Sequence, residues 1–248
     1  ENTMNIATAS PPMDSTAEQS FLSEKEWEFM AEPNIDELIL EDSQPVDNLI
    51  SEKQQRLLTS SAYSSFNLEI PFLATANVGL FYANQKPPLV PDVMLSLRVK
   101  CPEDWSQKKN RSYFTWNFGK SPEVAIEIVS NQVGNELGSK LNNYLDAGVG
   151  YYVIFDPLKC LGDNILQVYQ RKIISYQLKD NYWLEEVNLG LTLWSGEFEG
   201  QFYDQWLRWC DQSGNILLTG DEKFKLEKQR ADRLAQLLRE QGIDPNLI

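Results

Sequence analysis

Two carboxylates lie in strand-like segments where an unpaired charge would be unfavourable. Asp92 opens an apolar run, and Glu127 follows 35 residues later within Glu-Val-Ala-Ile-Glu-Ile-Val-Ser. Because side chains alternate along a strand, Glu127 shares a face with Ala125 and Val129. A buried carboxylate is costly unless it is paired or bound to a cation. Since Mg²⁺ and Mn²⁺ prefer oxygen ligands, we predict a metal site formed by Asp92, Glu127 and the backbone carbonyl of Ile128.

A nearby lysine would complete the requirements of phosphoryl transfer, which needs positive charge beside the attacking water and the phosphate. Lys140 is the candidate, because it lies early in a helix predicted over residues 135–147 and next to the apolar residues Leu141 and Tyr144. Its long side chain can reach back over the end of the sheet. A lysine that only solvates the helix surface is the alternative, and spacing alone does not choose between the two.

Basic and aromatic residues are concentrated between the two carboxylates. Residues 98–120 contain six basic residues and only two acidic ones, Glu103 and Asp104, and Trp105, Tyr113 and Trp116 lie among them. Such an excess suits a phosphate backbone, and aromatic rings can stack on bases. We therefore predict nucleic-acid contacts by Lys100, Lys108, Lys109, Arg111 and Lys120. A solvated loop with buried aromatic residues is the alternative.

The segments that must position these residues alternate between helix and strand. Residues 51–66 are typical of a capped helix. Strand-like segments follow at residues 72–82, 90–99, 113–118, 124–130, 151–156 and 165–169. The helix over residues 135–147, ending at Gly148, would connect two of these strands and make them parallel. Further strands and a charged amphipathic helix over residues 221–241 complete an α/β fold with a mixed central sheet.

The composition excludes several kinds of chemistry. The 248 residues include no histidine, which removes Ser-His-Asp and Cys-His nucleophiles and histidine-ligated zinc. The three cysteines are widely spaced and fit neither a disulfide framework nor a paired-thiolate zinc site. No apolar run is long enough to span a membrane, and the N-terminus lacks a signal-peptide pattern. We therefore expect a cytoplasmic protein with no membrane partner.

The acidity of the chain is confined to its N-terminal part. The net charge is −14, but residues 1–52 contain 13 acidic residues and one lysine, so that residues 53–248 carry only −2. The remaining domain can therefore bind nucleic acid. We predict a disordered leader (1–20), an acidic segment (21–48), a main domain (49–220) and a terminal amphipathic helix (221–248). The acidic segment could mimic DNA and compete for the binding groove, or it could serve solubility.

Four segments of the sequence together carry a resemblance to a known family. They are Pro91–Ser96, Ser121–Ser130, Gly138–Lys140 with Tyr144, and Ala147–Pro157. These segments resemble the Uma family of restriction-endonuclease-like proteins, which is abundant in cyanobacteria and belongs, as a domain of unknown function, to the PD-(D/E)XK nuclease superfamily. The resemblance spans roughly residues 50–200, and the closing segment Leu234–Pro245 is similar to the tail of many members.

The resemblance implies a restriction-endonuclease-like αβββαβ core in which Asp92 and Glu127 hold Mg²⁺ or Mn²⁺ for hydrolysis of DNA. The superfamily places a lysine two residues after the acidic residue, but this chain has Val129 there. The family is expected to supply the lysine from the following helix, which here is Lys140. Superfamily members often add an acid from the first core helix, and Glu52 is the helical option.

Three functional hypotheses follow from these features. The first is a metal-dependent endonuclease, and because enzymes that cut both strands commonly present two sites related by a two-fold axis, a homodimer is expected. The second is a binding or regulatory module that keeps the nuclease fold without turnover, which fits the valine at position 129. The third is an assembly protein that works through residues 21–48 and the terminal helix.

Overall fold

The computed structural model describes residues 48–130 and 135–245. The predicted leader (1–20) and nearly all of the predicted acidic segment (21–48) therefore lie outside the described residues. In chain order the elements are α1 (Leu49–Ser65), β1 (Phe72–Thr75), β2 (Leu80–Phe81), β3 (Val93–Leu97), β4 (Tyr113–Phe114), α2 (Thr115–Phe118), β5 (Val124–Ile128), α3 (Leu141–Asp146), β6 (Tyr151–Phe155), β7 (Leu166–Arg171), β8 (Tyr176–Leu178), β9 (Trp183–Leu184), β10 (Leu189–Phe198), β11 (Gln201–Cys210) and α4 (Gly220–Glu240). Among the described helices, none is both long enough and apolar enough to cross a membrane.

The central sheet has six strands in the order β1-β3-β5-β6-β7-β8. Strands β5 and β6 are parallel, and every other neighbouring pair is antiparallel. Parallel neighbours need a crossover connection, and helix α3 lies in that connection. Apart from the short elements β2, β4 and α2, the order from α1 to β6 is αβββαβ. The predicted fold class, a mixed α/β sheet with extra strands and a C-terminal helix, is confirmed.

Apolar clusters cover both faces of the central sheet. On one face, Leu58 of α1 lies in a cluster with Ile126 of β5 and with Trp209 of the second sheet, which has the order β11-β10-β9. On the other face, Ala125 and Val129 cluster with Tyr144 and Tyr152. Because both faces are covered, every residue of β5 is buried. Residues with the same parity as Glu127 therefore lie on the α3 side of the sheet.

A buried glutamine fixes α1 against the second sheet. The Nε2 of Gln54 donates to the backbone oxygen of Leu207 at 2.8 Å, and its Oε1 accepts from the backbone N–H of Leu207 at 2.9 Å. A buried amide that satisfies both groups of one strand residue defines the rotation of the helix. The next side chain, Gln55, is thereby turned toward the start of β3, where it meets Asp92.

The helix predicted over residues 135–147 is interrupted at Gly138. Residues Glu136–Lys140 form an irregular helical turn, Gly138 has non-helical backbone angles (φ −113°, ψ −108°), and regular helix begins at Leu141. A Cβ at Gly138 would lie 2.3 Å from Oδ1 of Asn135, so a larger residue here would displace that side chain. Because of the kink, Leu137 is exposed rather than buried. The predicted end at Gly148 is correct, since Gly148 has a φ of +77°.

Two predicted strands are shorter in the structure. The segment predicted over residues 72–82 divides into β1 and β2, because Asn77 adopts a positive φ of 53° and turns the chain. The segment predicted over residues 113–118 contains only the two residues of β4, followed by the helical turn α2. Both departures bring loops to the edge of the sheet beside β1.

Helix α4 is attached to the domain by a buried ion pair at its first turn. Arg208 of β11 is fully buried, and its Nη1 and Nη2 donate to the carboxylate of Glu222 at 2.9 and 2.7 Å. Glu222 also accepts from the backbone N–H of Thr219, whose side chain caps the helix in return. Such reciprocal capping favours helix initiation at this point. The helix beyond its first turn has no buried residue.

This anchor predicts acid sensitivity. Burial alone would raise the pKa of Glu222, but the hydrogen bonds from Arg208 and Thr219 outweigh it and hold that pKa below its ordinary value. A depressed folded-state pKa stabilises the fold above the unfolded pKa, about 4.3, and this stabilisation is lost as the pH falls through the folded pKa. We expect urea midpoints of wild type to fall more steeply below about pH 4.5 than those of Glu222→Gln. Parallel pH profiles would contradict this assignment.

Candidate active site

Asp92 lies immediately before β3 and accepts hydrogen bonds at both carboxylate oxygens. Its Oδ1 accepts from Nε2 of Gln55 at 3.0 Å, and its Oδ2 accepts from the backbone N–H of Ile128 at 2.6 Å. The side chain is buried. Donors on two different elements thus fix the carboxylate at the C-terminal end of β5. The antiparallel pairing of β3 with β5 brings Asp92 and Glu127 to this same end of the sheet.

The backbone carbonyl of Ile128 points toward the same edge as Asp92. The N–H of Val129 donates to the backbone oxygen of Phe155 in β6 at 2.8 Å. The backbone groups of Ile128, one residue earlier, therefore face the other neighbouring strand, β3. In an extended strand the N–H and C=O of one residue point to the same edge. Since the N–H of Ile128 reaches Asp92, its carbonyl oxygen lies on that side as well.

Glu127 is 4% exposed and is held by two side chains from the helical crossover. Its Oε1 accepts from the hydroxyl of Tyr144 at 2.5 Å, and its Oε2 accepts from Nζ of Lys140 at 2.9 Å. Burial raises the pKa of Glu127 above its ordinary value, while the charge of Lys140 and the hydroxyl of Tyr144 act in the opposite direction. The carboxylate is therefore compensated by one ammonium and one hydroxyl.

The ammonium of Lys140 lies between two buried carboxylates. Its Nζ is 2.9 Å from Oε2 of Glu127 and 3.3 Å from Oε1 of Glu136. Burial disfavours the charged amine, but these two carboxylates raise the pKa of Lys140 above its ordinary value. Within the described part of the chain, the buried Oε2 of Glu136 has no hydrogen-bond partner. One acceptor oxygen therefore remains beside the ammonium.

Glu136 and Tyr144 were not singled out as site residues from the sequence, although their spacing carries a signal. Glu136, Lys140 and Tyr144 follow one another at intervals of four, which places them on one side of a helix. The kink at Gly138 does not remove this alignment, because Glu136 contacts Lys140 and Tyr144 contacts Glu127.

Gln55, rather than Glu52, reaches the site from α1. Glu52 is exposed and forms an ion pair with Arg56 on the helix surface, so the structure does not bring it to Asp92. Gln55 donates to Asp92, and its Oε1 accepts from Nδ2 of Asn77 at 3.0 Å. The sequence carries no signal for Gln55, because the docking of α1 through Gln54 turns it toward Asp92.

The donor set suits a hard divalent cation. Two carboxylates and one backbone carbonyl are the oxygen ligands that Mg²⁺ and Mn²⁺ favour, with water completing the coordination. Residues 48–130 and 135–245 contain no group of three or more acidic or cysteine side chains that could hold a metal ion. A cation here would therefore depend on Asp92, Glu127 and the carbonyl of Ile128.

The five lysines and arginines predicted to contact nucleic acid differ in their surroundings. Lys100 and Lys109 are exposed, and Lys108 begins a short 3₁₀ turn. Arg111 is exposed but donates to the backbone oxygens of Trp105 and Ser106, so it also shapes its own loop. Lys120 is half-buried and forms an ion pair with Glu123. The structure thus leaves the loop between β3 and β4 as the cationic surface.

The αβββαβ order and mixed sheet place this chain among restriction-endonuclease-like α/β proteins. The profile of the Uma2 family, described as "Putative restriction endonuclease", matches residues 36–202. The chain belongs to that family, as the sequence resemblance predicted.

Solved structures include a similar chain from Anabaena variabilis, described as a putative nuclease belonging to DUF820. It is 16% identical, the similarity covers 56% of this chain and 72% of that chain, and the TM-score is 0.40. Among functionally curated proteins the comparison finds no significant match.

Proposed function

We propose that this protein is an endonuclease that hydrolyses phosphodiester bonds of DNA and depends on Mg²⁺ or Mn²⁺. The observation that carries the proposal is the distance of 2.9 Å between Nζ of Lys140 and Oε2 of Glu127. The helical crossover thereby supplies the lysine that Val129, a buried apolar residue, does not. The description of the family as an endonuclease supports the same proposal.

Each residue of the site has a distinct task in this proposal. Asp92, Glu127 and the carbonyl of Ile128 would hold the cation, which when bound supplies Lewis acidity to the phosphate and favours ionisation of the attacking water. Lys140, which its two carboxylate partners keep protonated, orients that water and offsets the negative charge of the phosphate. Tyr144 fixes Glu127, and Gln55 fixes Asp92.

A calorimetric titration of Mg²⁺ and Mn²⁺ followed by an assay on supercoiled plasmid tests this function. Wild type is compared with the double variant Asp92→Asn, Glu127→Gln, in which both side chains keep their size. Binding and nicking by wild type that are absent in the variant support the proposal. A failure of wild type to bind either cation rules out the metal site.

A nuclease fold without turnover is the alternative, and one observation favours it. Because Lys140 and Tyr144 already compensate Glu127, this side chain is stable without a cation. A cation would have to displace or share the oxygen that Lys140 contacts. Cation binding without nicking in the plasmid assay would assign the protein to this alternative, as a binding or regulatory module.

Helix α4 is the proposed surface for a homodimer. Its apolar seam consists of Phe224, Ala231, Leu234 and Leu238, and Phe224 and Leu234 are exposed. Because no residue of this helix is buried, the seam is open to a second copy of the chain. We expect Phe224→Asp, Leu234→Asp to yield a monomer in light scattering coupled to gel filtration. The control Gln229→Asp, Gln236→Asp makes the same change in charge off the seam and should remain dimeric. A monomeric wild type would contradict the proposal.

A further inference from the structure

A largely apolar cavity of about 400 Å³ lies between the edge of β1 and the loop that connects β3 to β4. Its walls include Leu73 of β1 and Val78 on one side, and Trp105 of that loop, Tyr113 of β4 and Phe118 of α2 on the other. The volume is within the range of small-molecule sites, roughly 300–1,000 Å³. A flat aromatic ligand the size of a nucleobase would fit between such walls.

Side-chain contacts connect the cavity wall with the proposed active site. Val78 lines the cavity, and the preceding residue, Asn77, donates from its side chain to Gln55, which in turn donates to Asp92. Leu73 and Tyr113 belong to the apolar cluster that also contains Ala125 and Val129. The cavity therefore opens on the face of the sheet that carries Glu127.

Trp105 is exposed at this cavity but is held in one position. The residue is 65% exposed, yet the Nε1 of its ring donates to the backbone oxygen of Pro102 at 2.6 Å. Its own backbone oxygen accepts from Nε of Arg111 at 2.9 Å, and Nη2 of Arg111 donates to the oxygen of Ser106 at 3.0 Å. An exposed ring that is fixed in advance loses little conformational entropy when a ligand stacks on it.

The loop around the cavity carries positive charge on a domain that is otherwise slightly acidic. Residues 98–111 contain five basic and two acidic residues, whereas residues 53–248 as a whole carry a net charge of −2. Lys100 and Lys109 are exposed. A polyanion is therefore attracted to this edge of the domain. An aromatic cavity with a cationic rim suits one base of a nucleic-acid strand.

We propose that this cavity receives a single nucleobase of the DNA strand that is cleaved at the proposed active site, and that the base stacks on Trp105. This inference rests on the proposed function, since it assumes DNA as the ligand. A base can enter such a cavity only when it is unpaired or rotated out of the duplex. The protein should therefore bind a single strand through its bases as well as through its phosphates.

Fluorescence anisotropy with labelled single-stranded 12-mers, without divalent cations, tests the cavity separately from hydrolysis. One strand carries bases, and the second carries abasic residues on the same backbone. We expect Trp105→Ala to weaken binding of the first strand by about tenfold and to leave the second unchanged. Trp105→Phe should retain most of the affinity. The matched control Phe202→Ala replaces another aromatic residue that is 68% exposed and should change neither affinity.

Equal binding of the base-carrying strand by wild type and Trp105→Ala would overturn the proposal. So would an equal loss on both strands, because Trp105 would then act only through the loop and its contacts with the backbone. The variant Asp92→Asn, Glu127→Gln should show the same effect of Trp105→Ala, since no cation is present. A stacking effect without plasmid nicking would leave the base site in place while contradicting the proposed endonuclease.

Discussion

Replacing Lys140 with alanine is expected to slow plasmid nicking by at least about 100-fold, the usual effect of removing one preorganised charged group from a transition state. Lys140 is placed at the carboxylates by its contacts with Glu127 and Glu136. Because both carboxylates are buried, the electrostatic interactions of its ammonium are stronger than they would be in water. Cation binding should persist, because Asp92 and Glu127 remain. The nicking rate at saturating Mg²⁺, with calorimetry on the same sample, measures both quantities.

Lys179→Ala is the matched control for this variant. Lys179 is also half-buried and ion-paired, with Glu185, but it contacts neither Asp92 nor Glu127. Its removal should change the nicking rate by less than about threefold, as expected for a residue that does not contact the reacting groups. Thermal unfolding of both variants verifies that the domain is intact. A Lys140→Ala variant that nicks as fast as the control would remove Lys140 from the mechanism.

Replacing Glu222 with glutamine is expected to destabilise the domain by about 3–5 kcal/mol, because it leaves a buried guanidinium without its counter-charge. Arg208 is 0% exposed and also lies over the ring of Trp194, 4.7 Å from its centroid. It donates to the backbone oxygen of Leu217 at 2.7 Å, so it cannot turn toward solvent without losing further contacts. Urea unfolding followed by tryptophan fluorescence gives the free energy of unfolding.

Glu227→Gln is the control for that measurement. Glu227 pairs with Arg230 at 3.9 Å on the exposed surface of the same helix. Its loss should change the free energy of unfolding by less than about 1 kcal/mol, as is usual for exposed ion pairs. If Glu222→Gln and Glu227→Gln lower the free energy of unfolding equally, the buried pair does not anchor α4.

The sequence predicts the central part of the fold well, because buried strands leave a clear pattern. The alternation of residues in β5 placed Glu127 on the face of Ala125 and Val129, and the structure confirms that face. The apolar character of β3, β5 and β6 follows from burial on both faces. Strands that are buried on both faces are thus the elements that the sequence predicts best.

Other features depend on contacts that the sequence does not state. The kink at Gly138 is one of them, and a Cβ at that position would meet the side chain of Asn135. Gln55 reaches Asp92 because the contact between Gln54 and Leu207 sets the rotation of α1. Glu52 and Gln55 are three residues apart, and only the docking of the helix decides which of them faces the sheet.

The nicking of supercoiled plasmid by wild type and Glu127→Gln in the same Mg²⁺ buffer is the most direct test of the proposed endonuclease. Glutamine preserves the size of the side chain and can still contact Lys140 and Tyr144, so the comparison isolates the charge that a cation would require. We expect nicking by wild type that is abolished by chelation and at least about 100-fold slower in the variant. Equal nicking by the two proteins, or none by wild type, would contradict a nuclease site at Asp92, Glu127 and Lys140.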